Sequence, residues 1–98
     1  MAYLITHFFE DGSEFQYKAA VAAAHPANGL PKGQTFHAAG PTEGGWLVVA
    51  LWDTKADCDT FVRNTLFPAL RNTEGTFNGH PQERSCEVVN LVSDLRPA

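Results

Sequence analysis

Residues 46–52 restrict the fold of this chain more than any other segment, because they are apolar on both faces of a strand. They read Trp-Leu-Val-Val-Ala-Leu-Trp, without the polar alternation of a strand that has one face in water. Such a strand must be covered on both sides. Helices can cover one face of its sheet, so the other face needs a second layer. The segment therefore predicts a central strand with protein on either side.

Three further segments have the composition of strands. Residues 3–9 are rich in β-branched and aromatic side chains and end at the turn-forming sequence Glu-Asp-Gly-Ser. Residues 34–39 form the second predicted strand, and residues 40–45 connect it to the strand 46–52 as a hairpin. Residues 86–92 form the last predicted strand. The long polar stretch before it, residues 71–84, contains glycines and a proline and is expected to be a loop.

The first helix is predicted over residues 14–24, with Ser13 as its N-cap. The residues at helical spacing on one face are Tyr17, Ala20, Val21 and Ala24. His25 and Pro26 end the pattern, since a proline disfavours helical backbone at the residue before it.

The second helix begins after Thr54, where Thr54 and Asp57 resemble a capping box. Its apolar face, read at the spacing of an α-helix, consists of Cys58, Phe61, Val62, Thr65, Leu66 and Ala69. Pro68 is expected to kink or terminate the last turn.

The predicted order is strand, helix, strand, strand, helix, strand, which is the ferredoxin-like arrangement of two β-α-β halves. A chain of 98 residues has room for one such α+β domain, here residues 1–98. Both helices of this fold pack on one face of a four-stranded antiparallel sheet. The opposite face would be exposed in a monomer, so we expect it to pair with a second copy in a homodimer.

Composition excludes several classes of partner. The formal net charge of -4 and the scattered basic residues argue against nucleic-acid binding. No segment has the length of a transmembrane helix or the pattern of a signal peptide, which favours a cytoplasmic protein that does not bind membranes. Cys58 and Cys86 have no metal-site or disulfide spacing and are expected to be reduced and buried.

One set of residues is similar to a known family. It consists of the run 37–42 (His-Ala-Ala-Gly-Pro-Thr), Gly45-Trp46, Val49, Leu51-Trp52-Asp53, Phe61 and the run 66–70 (Leu-Phe-Pro-Ala-Leu). Together these residues resemble the antibiotic-biosynthesis-monooxygenase-like proteins of the dimeric α/β barrel superfamily, and the likeness covers nearly the whole chain. More narrowly, the chain is similar to a group of small bacterial proteins in that superfamily.

The resemblance implies a homodimer in which two four-stranded sheets meet as a barrel, with a pocket between each sheet and its helices. Such pockets host cofactor-independent oxygenation of aromatic compounds, haem degradation, isomerisation or cyclisation, so the fold alone does not fix the reaction. In the haem-degrading branch a Trp and a ligating His lie along the second helix. This sequence has Phe61 and Arg71 near those positions, which disfavours that route.

His37 is the candidate catalytic residue, because a histidine within an apolar strand could serve as a general base for an acidic substrate hydroxyl. Trp52 could stack on a flat aromatic ligand, and Trp46 lies on the same strand face by the period of two. Tyr17 and His80 are the remaining candidates for substrate binding, with His80 on a loop that could close over a ligand. Packing, or a structural hydrogen bond for the histidines, is the alternative role for each of them.

No metal and no cofactor is predicted. The sequence lacks paired ligands at metal-site spacing, and Asp53, Asp57 and Asp59 lie where helix capping explains them. The first functional hypothesis is a cofactor-independent monooxygenase acting on a hydrophobic aromatic molecule. The alternatives are a non-catalytic homodimer that binds a small hydrophobic ligand, and a stress-related dimer without a pocket.

Overall fold

The computed structural model describes residues 1–27 and 29–94. Its elements in chain order are β1 (Tyr3–Glu10), α1 (Glu14–Ala24), β2 (Gln34–Thr42), β3 (Gly45–Trp52), α2 (Lys55–Phe61), α3 (Phe67–Asn72) and β4 (Gln82–Glu87). A π-helical turn, Val62–Leu66, joins α2 to α3. The strands form one sheet in the order β2-β3-β1-β4, and every neighbouring pair is antiparallel. This is the predicted ferredoxin-like α+β fold.

The strand β3 is covered on one face by the helices of its own chain. Burial alternates along it, with Trp46, Val48, Ala50 and Trp52 buried and the residues between them half-buried. The buried residues join two core clusters, one around Cys58 and Val62 and the other around Phe9 and Phe77. The side chains between them, which include Leu47 and Val49, point to the opposite face of the sheet.

That opposite face, called the open face below, is apolar across three strands. Residues that pair across antiparallel strands share a face, and the register places Leu4 and Phe36 on either side of Leu51. Its apolar members are Leu4, Phe8, Phe36, Ala38, Leu47, Val49 and Leu51. The described helices pack on the other face, so the single chain leaves this surface without a second layer.

The predicted boundaries of α1 are confirmed. The Ser13 hydroxyl accepts a hydrogen bond from the backbone N–H of Gln16, and the Gln16 side chain accepts one from the Ser13 backbone in return. This reciprocal pair is a capping box, which satisfies two helix-end donors. The helix ends at His25, whose N–H donates to the Val21 carbonyl.

The second helical segment starts as predicted, because the Thr54 hydroxyl accepts from the Asp57 N–H at 3.1 Å. The π turn contains one more residue than a regular α-helical turn. The residues after it are therefore rotated about the helix axis relative to the predicted apolar face. Thr65, predicted to face the core, is exposed, while Phe67 packs against the core instead. Pro68 does not end the helix: it lies directly after the π turn, where the N–H of Phe67 donates to the Val62 carbonyl and the hydrogen-bond ladder is already shifted.

The last strand was predicted at residues 86–92, and this is wrong by four to five residues: β4 is Gln82–Glu87. Its register with β1 runs from the Phe8–Gln82 pair to the Tyr3–Glu87 pair. The strand β4 ends there because β1 has no further residue to pair with it. One hydrogen bond continues beyond the strand, from the Val88 N–H to the Ala2 carbonyl. The apolar residues that suggested a strand, such as Val89, are exposed.

The connection between α3 and β4 contributes to the core. Phe77 is buried and stacks on Phe9, with ring centroids 3.8 Å apart and planes 12° from parallel. The Thr76 hydroxyl donates to the Leu70 carbonyl at 3.0 Å, which anchors the loop to the end of α3. A Cβ at Gly12 would lie 2.8 Å from the Phe77 ring, so the glycine makes this approach possible.

The two cysteines differ in environment, which corrects the prediction that both are buried. Cys58 is fully buried under β3, whereas Cys86 is exposed, and neither forms a disulfide. Cys86 pairs with Leu4 in the sheet register and therefore lies on the open face. No helix within residues 1–27 and 29–94 is long and apolar enough to cross a bilayer.

Candidate active site

A cavity lies between the helix-covered face of the sheet and the helices. Its empty volume is about 520 Å³, a figure that includes the open mouth. The lining residues used below are His7, Tyr17, His25, Gln34, His37, Trp52, Phe61 and Phe77. Strands β1, β2 and β3 form its floor, and α1 and the α2 segment form its walls.

The lining is apolar apart from a small set of uncharged polar groups. Histidine, tyrosine and glutamine side chains supply that set, and no Asp, Glu, Lys or Arg is among the residues that line the cavity. A pocket with a few convergent polar groups in an aromatic and aliphatic lining is typical of small-molecule binding.

His37 forms the centre of the polar set. Its Nε2 atom lies 2.5 Å from the hydroxyl of Tyr17, and its Nδ1 atom lies 3.1 Å from Oε1 of Gln34. His37 reaches the cavity because it pairs with Ala50, which is on the helix-covered face of β3. Tyr17 reaches it from α1, so a strand and a helix position the hydrogen-bonded pair.

Burial keeps these groups uncharged. Burial, together with a smaller contribution from the neighbouring His25, lowers the pKa of His37 to about 4. Burial also lowers the pKa of His25 and raises the pKa of the Tyr17 hydroxyl. Each shift favours the neutral form. At neutral pH the three groups therefore carry no charge.

His25 is brought against His37 by the end of α1. The two imidazole rings meet edge to face with centroids 4.9 Å apart, and His25 meets Phe61 in the same way at 5.7 Å. From the sequence, His25 marks only the end of the α1 pattern. Nothing in the local pattern relates it to β2, because the contact depends on how the loop after α1 returns to the sheet.

His7 is the third histidine of the lining. It is buried on β1, and its Nε2 atom lies 2.8 Å from a carboxylate oxygen of Glu83 on β4. Its position opposite Glu83 follows from the β1–β4 register. The pairing satisfies one nitrogen of a buried ring, which is a structural role.

Of the predicted aromatic residues, Trp52 lines the cavity and Trp46 does not. Trp52 is buried, with its ring 5.3 Å from that of Phe61. Trp46 packs against the Tyr17 ring at 5.4 Å, and its buried indole nitrogen has no hydrogen-bond partner among residues 1–27 and 29–94. The two tryptophans share a strand face, as predicted, but only Trp52 can touch a ligand in the cavity.

His80 lies in a separate groove. That groove is bounded by Phe67, Leu70, Arg71, Phe77, Gly79 and His80. The His80 ring meets Phe67 edge to face at 5.4 Å. Phe77 lines both the groove and the main cavity and so forms the wall between them. His80 is therefore not brought together with His37, because the buried Phe77 intervenes.

Gln34 was missed as a site residue. It is buried at the start of β2, which is an unusual position for an amide side chain. In a regular strand, residues three apart point to opposite faces, so strand periodicity does not relate Gln34 to His37. Within the described residues 1–27 and 29–94, no group of three or more His, Cys, Asp or Glu side chains is placed to hold a metal ion.

The fold has known relatives among solved structures. An antibiotic biosynthesis monooxygenase from Chloroflexus aurantiacus J-10-fl superposes with a TM-score of 0.63 at 9% identity, over 95% of this chain and 98% of that chain. SnoaB, a cofactor-independent oxygenase from Streptomyces nogalater, gives 0.61 at 11% identity, over 95% and 97%. No protein-family model matches the sequence, and neither does any curated protein. This chain therefore has the ferredoxin-like fold of antibiotic-biosynthesis-monooxygenase-like proteins.

Proposed function

We propose that the protein is a small-molecule enzyme, most like a cofactor-independent monooxygenase, that acts on a hydrophobic aromatic substrate. The observation that carries the proposal is the placement of the His37–Tyr17 pair inside an otherwise apolar cavity. A structural neighbour that is a cofactor-independent oxygenase supports the kind of reaction. Neither a metal nor an organic cofactor is part of the proposal.

In this proposal His37 is the general base and acts through Tyr17. The His37 ring is neutral at pH 7 and can accept a proton. Its Nε2 atom, however, already accepts a hydrogen bond from the Tyr17 hydroxyl. A substrate hydroxyl would donate to Tyr17 Oη while the Tyr17 proton passes to His37 Nε2. The substrate anion then lies beside the imidazolium that its own proton created. Such an electron-rich anion can transfer an electron to O₂ directly.

The aromatic lining holds the substrate ring in place. Trp52 and Phe61 lie on the side of the cavity formed by β3 and the α2 segment and could contact a flat ring. Trp46 would support the reaction from outside the cavity by packing against Tyr17. His80 would contact only a substrate whose distal part reaches past Phe77 into the neighbouring groove.

The test is oxygen uptake by metal-free protein with anthrone as substrate. We expect consumption above the spontaneous rate, and a decrease of about 10²-fold or more in the variants His37→Gln and Tyr17→Phe. Thr42→Ala is the matched control, because Thr42 lies at the far end of the same strand with an exposed side chain. Absence of uptake by the wild-type protein with anthrone and with a hydroquinone would contradict the proposal.

A non-catalytic ligand-binding protein is the second candidate. The lack of charged side chains in the lining favours it, because an apolar cavity can bind an aromatic molecule without any chemistry. Such a protein would bind anthrone in titrations and release it unchanged. The cavity itself argues against a purely structural dimer, the third alternative.

We further propose that the functional unit is a homodimer formed through the open face. The support is the continuous apolar surface of the sheet, which the helices of the chain leave uncovered. The unpaired state of Cys58 and Cys86 fits a reducing compartment and supports the proposed cytoplasmic location.

A further inference from the structure

The strand β2 contains a bulge that changes which side chains enter the cavity. Gln34 pairs with Trp52 and Phe36 pairs with Leu51, so Thr35 is an extra residue with no partner of its own. Without the bulge, Gln34 and His37 would point to opposite faces of the sheet. With it, both lie on the helix-covered face and their side chains meet at 3.1 Å. Bulges that redirect a side chain are common next to active sites.

The contact between Gln34 and His37 has a defined direction. In the orientation of the Gln34 amide shown, Oε1 faces His37 Nδ1, and because a carbonyl oxygen can only accept, this orientation assigns the ring proton to Nδ1. In the neutral ring this leaves Nε2 as an acceptor. Nε2 therefore accepts the proton of the Tyr17 hydroxyl, which lies 2.5 Å away. Gln34 thus sets the direction of both hydrogen bonds.

The direction of this chain decides what the cavity offers to a ligand. The Tyr17 hydroxyl donates its hydrogen bond to His37, and its oxygen retains lone pairs that can accept a further hydrogen bond. His7 has one nitrogen engaged by Glu83, and within residues 1–27 and 29–94 no Asp, Glu, Lys or Arg side chain lines the cavity. A ligand with a hydroxyl donor is satisfied here, whereas an anion would lose its hydration without gaining a cation.

We propose that Gln34 is a positioning residue that fixes the Nδ1–H tautomer of His37 and so makes the cavity select uncharged aromatic molecules carrying a hydroxyl donor. This rests on the proposed function in that it assigns the ligand class to the same cavity. It requires only binding, so it stands or falls independently of turnover.

The tautomer is tested by ¹⁵N NMR of histidine-labelled protein at pH 7. We expect the wild-type His37 signals to show protonated Nδ1 and unprotonated Nε2. Gln34→Leu removes the acceptor and should give a mixture of tautomers. Gln34→Glu keeps an acceptor at the same place and should keep Nδ1 protonated. This variant keeps the test usable if the leucine variant does not fold. A wild-type ring protonated on Nε2 would overturn the proposal.

Ligand selection is tested by titrating the full chain with 2-naphthol, its methyl ether 2-methoxynaphthalene, and 2-naphthoate. We expect 2-naphthol to bind at least about tenfold more tightly than the ether or the carboxylate, a ratio equivalent to about 1.4 kcal/mol. In Gln34→Leu the ratio of 2-naphthol to ether should fall towards one. Equal binding of naphthol and ether to the wild-type protein, tighter binding of the carboxylate, or no binding of naphthol would each overturn the assignment.

The two proposals fail in different ways. If 2-naphthol is selected and anthrone is not oxidised, the ligand class stands and the monooxygenase proposal falls. If anthrone is oxidised but naphthol and ether bind equally, the reaction stands and the role assigned to Gln34 falls.

Discussion

His37 connects the chemistry of the cavity with the stability of the protein. Burial and the adjacent His25 place its folded pKa at about 4, below the value of 6.5 for an unperturbed histidine. Between these two values the unfolded chain binds a proton that the folded protein does not. Stability should therefore be complete above pH 6.5, decrease as the pH falls, and lose no more from this group below pH 4. Burial acts on His25 in the same sense.

This pH dependence can be measured by urea unfolding at pH 7.0 and pH 4.5. The wild-type protein should lose stability between the two, by at most about 3 kcal/mol from His37 and by less once the partial exposure of the ring is allowed for. His37→Gln cannot titrate and should lose less. Equal losses of stability in the wild-type protein and the His37→Gln variant would show that His37 does not contribute to the pH dependence.

Phe77 is the residue whose removal should change the cavity most. Its ring fills the space between Phe9 and the backbone at Gly12 and separates the cavity from the groove at His80. Phe77→Ala should cost about 3–5 kcal/mol in the free energy of unfolding. Phe77→Leu preserves most of the volume and should cost clearly less. Thermal and urea unfolding of both variants measure the difference, and equal costs would argue against a packing role.

At the level of elements, the helix start at Ser13 offers a direct test of a local signal. The Ser13 hydroxyl and the Gln16 side chain satisfy two backbone donors at the start of α1. Ser13→Ala should destabilise the protein by about 1 kcal/mol, while Ser13→Gly should cost only a few tenths. Urea unfolding compares them, and an unchanged midpoint for the alanine variant would mean that solvent replaces the cap.

The elements also show what could be read from sequence. The caps at Ser13 and Thr54 and the apolar strand β3 depend on neighbours in the chain, and these predictions are confirmed. The end of β4 depends on where β1 stops pairing, so hydropathy misplaced it. The π turn had no sequence signal that we recognised, and it moved Thr65 out of the core.

The candidate site likewise contains residues that local sequence patterns predict and residues that only the pairing of strands brings together. Strand periodicity related Trp46 to Trp52, and helical periodicity placed Tyr17 on an inward face. The bulge at Thr35, which brings Gln34 beside His37, is a change of register between two strands. The register is set by how β2 pairs with β3, so the local sequence pattern of β2 does not reveal the bulge.

At the scale of the whole molecule, the open face leads to a test of assembly. Light scattering should give a mass of twice 10.7 kDa for the wild-type protein. Val49→Lys places a charge at the centre of the open face and should produce monomers. Ala22→Lys, on the exposed side of α1, is the matched control and should leave the dimer intact. A monomeric wild-type protein would contradict the proposed homodimer.

The contrast between the two cysteines gives the protein an internal reporter of this assembly. Cys86 lies on the open face and is exposed in the single chain, while Cys58 is fully buried and burial raises its pKa to about 11. An alkylating reagent should therefore modify Cys86 far faster than Cys58. If copies associate through the open face, dilution should accelerate the labelling of Cys86, and the dependence of the labelling rate on protein concentration then gives the dissociation constant without an engineered cysteine.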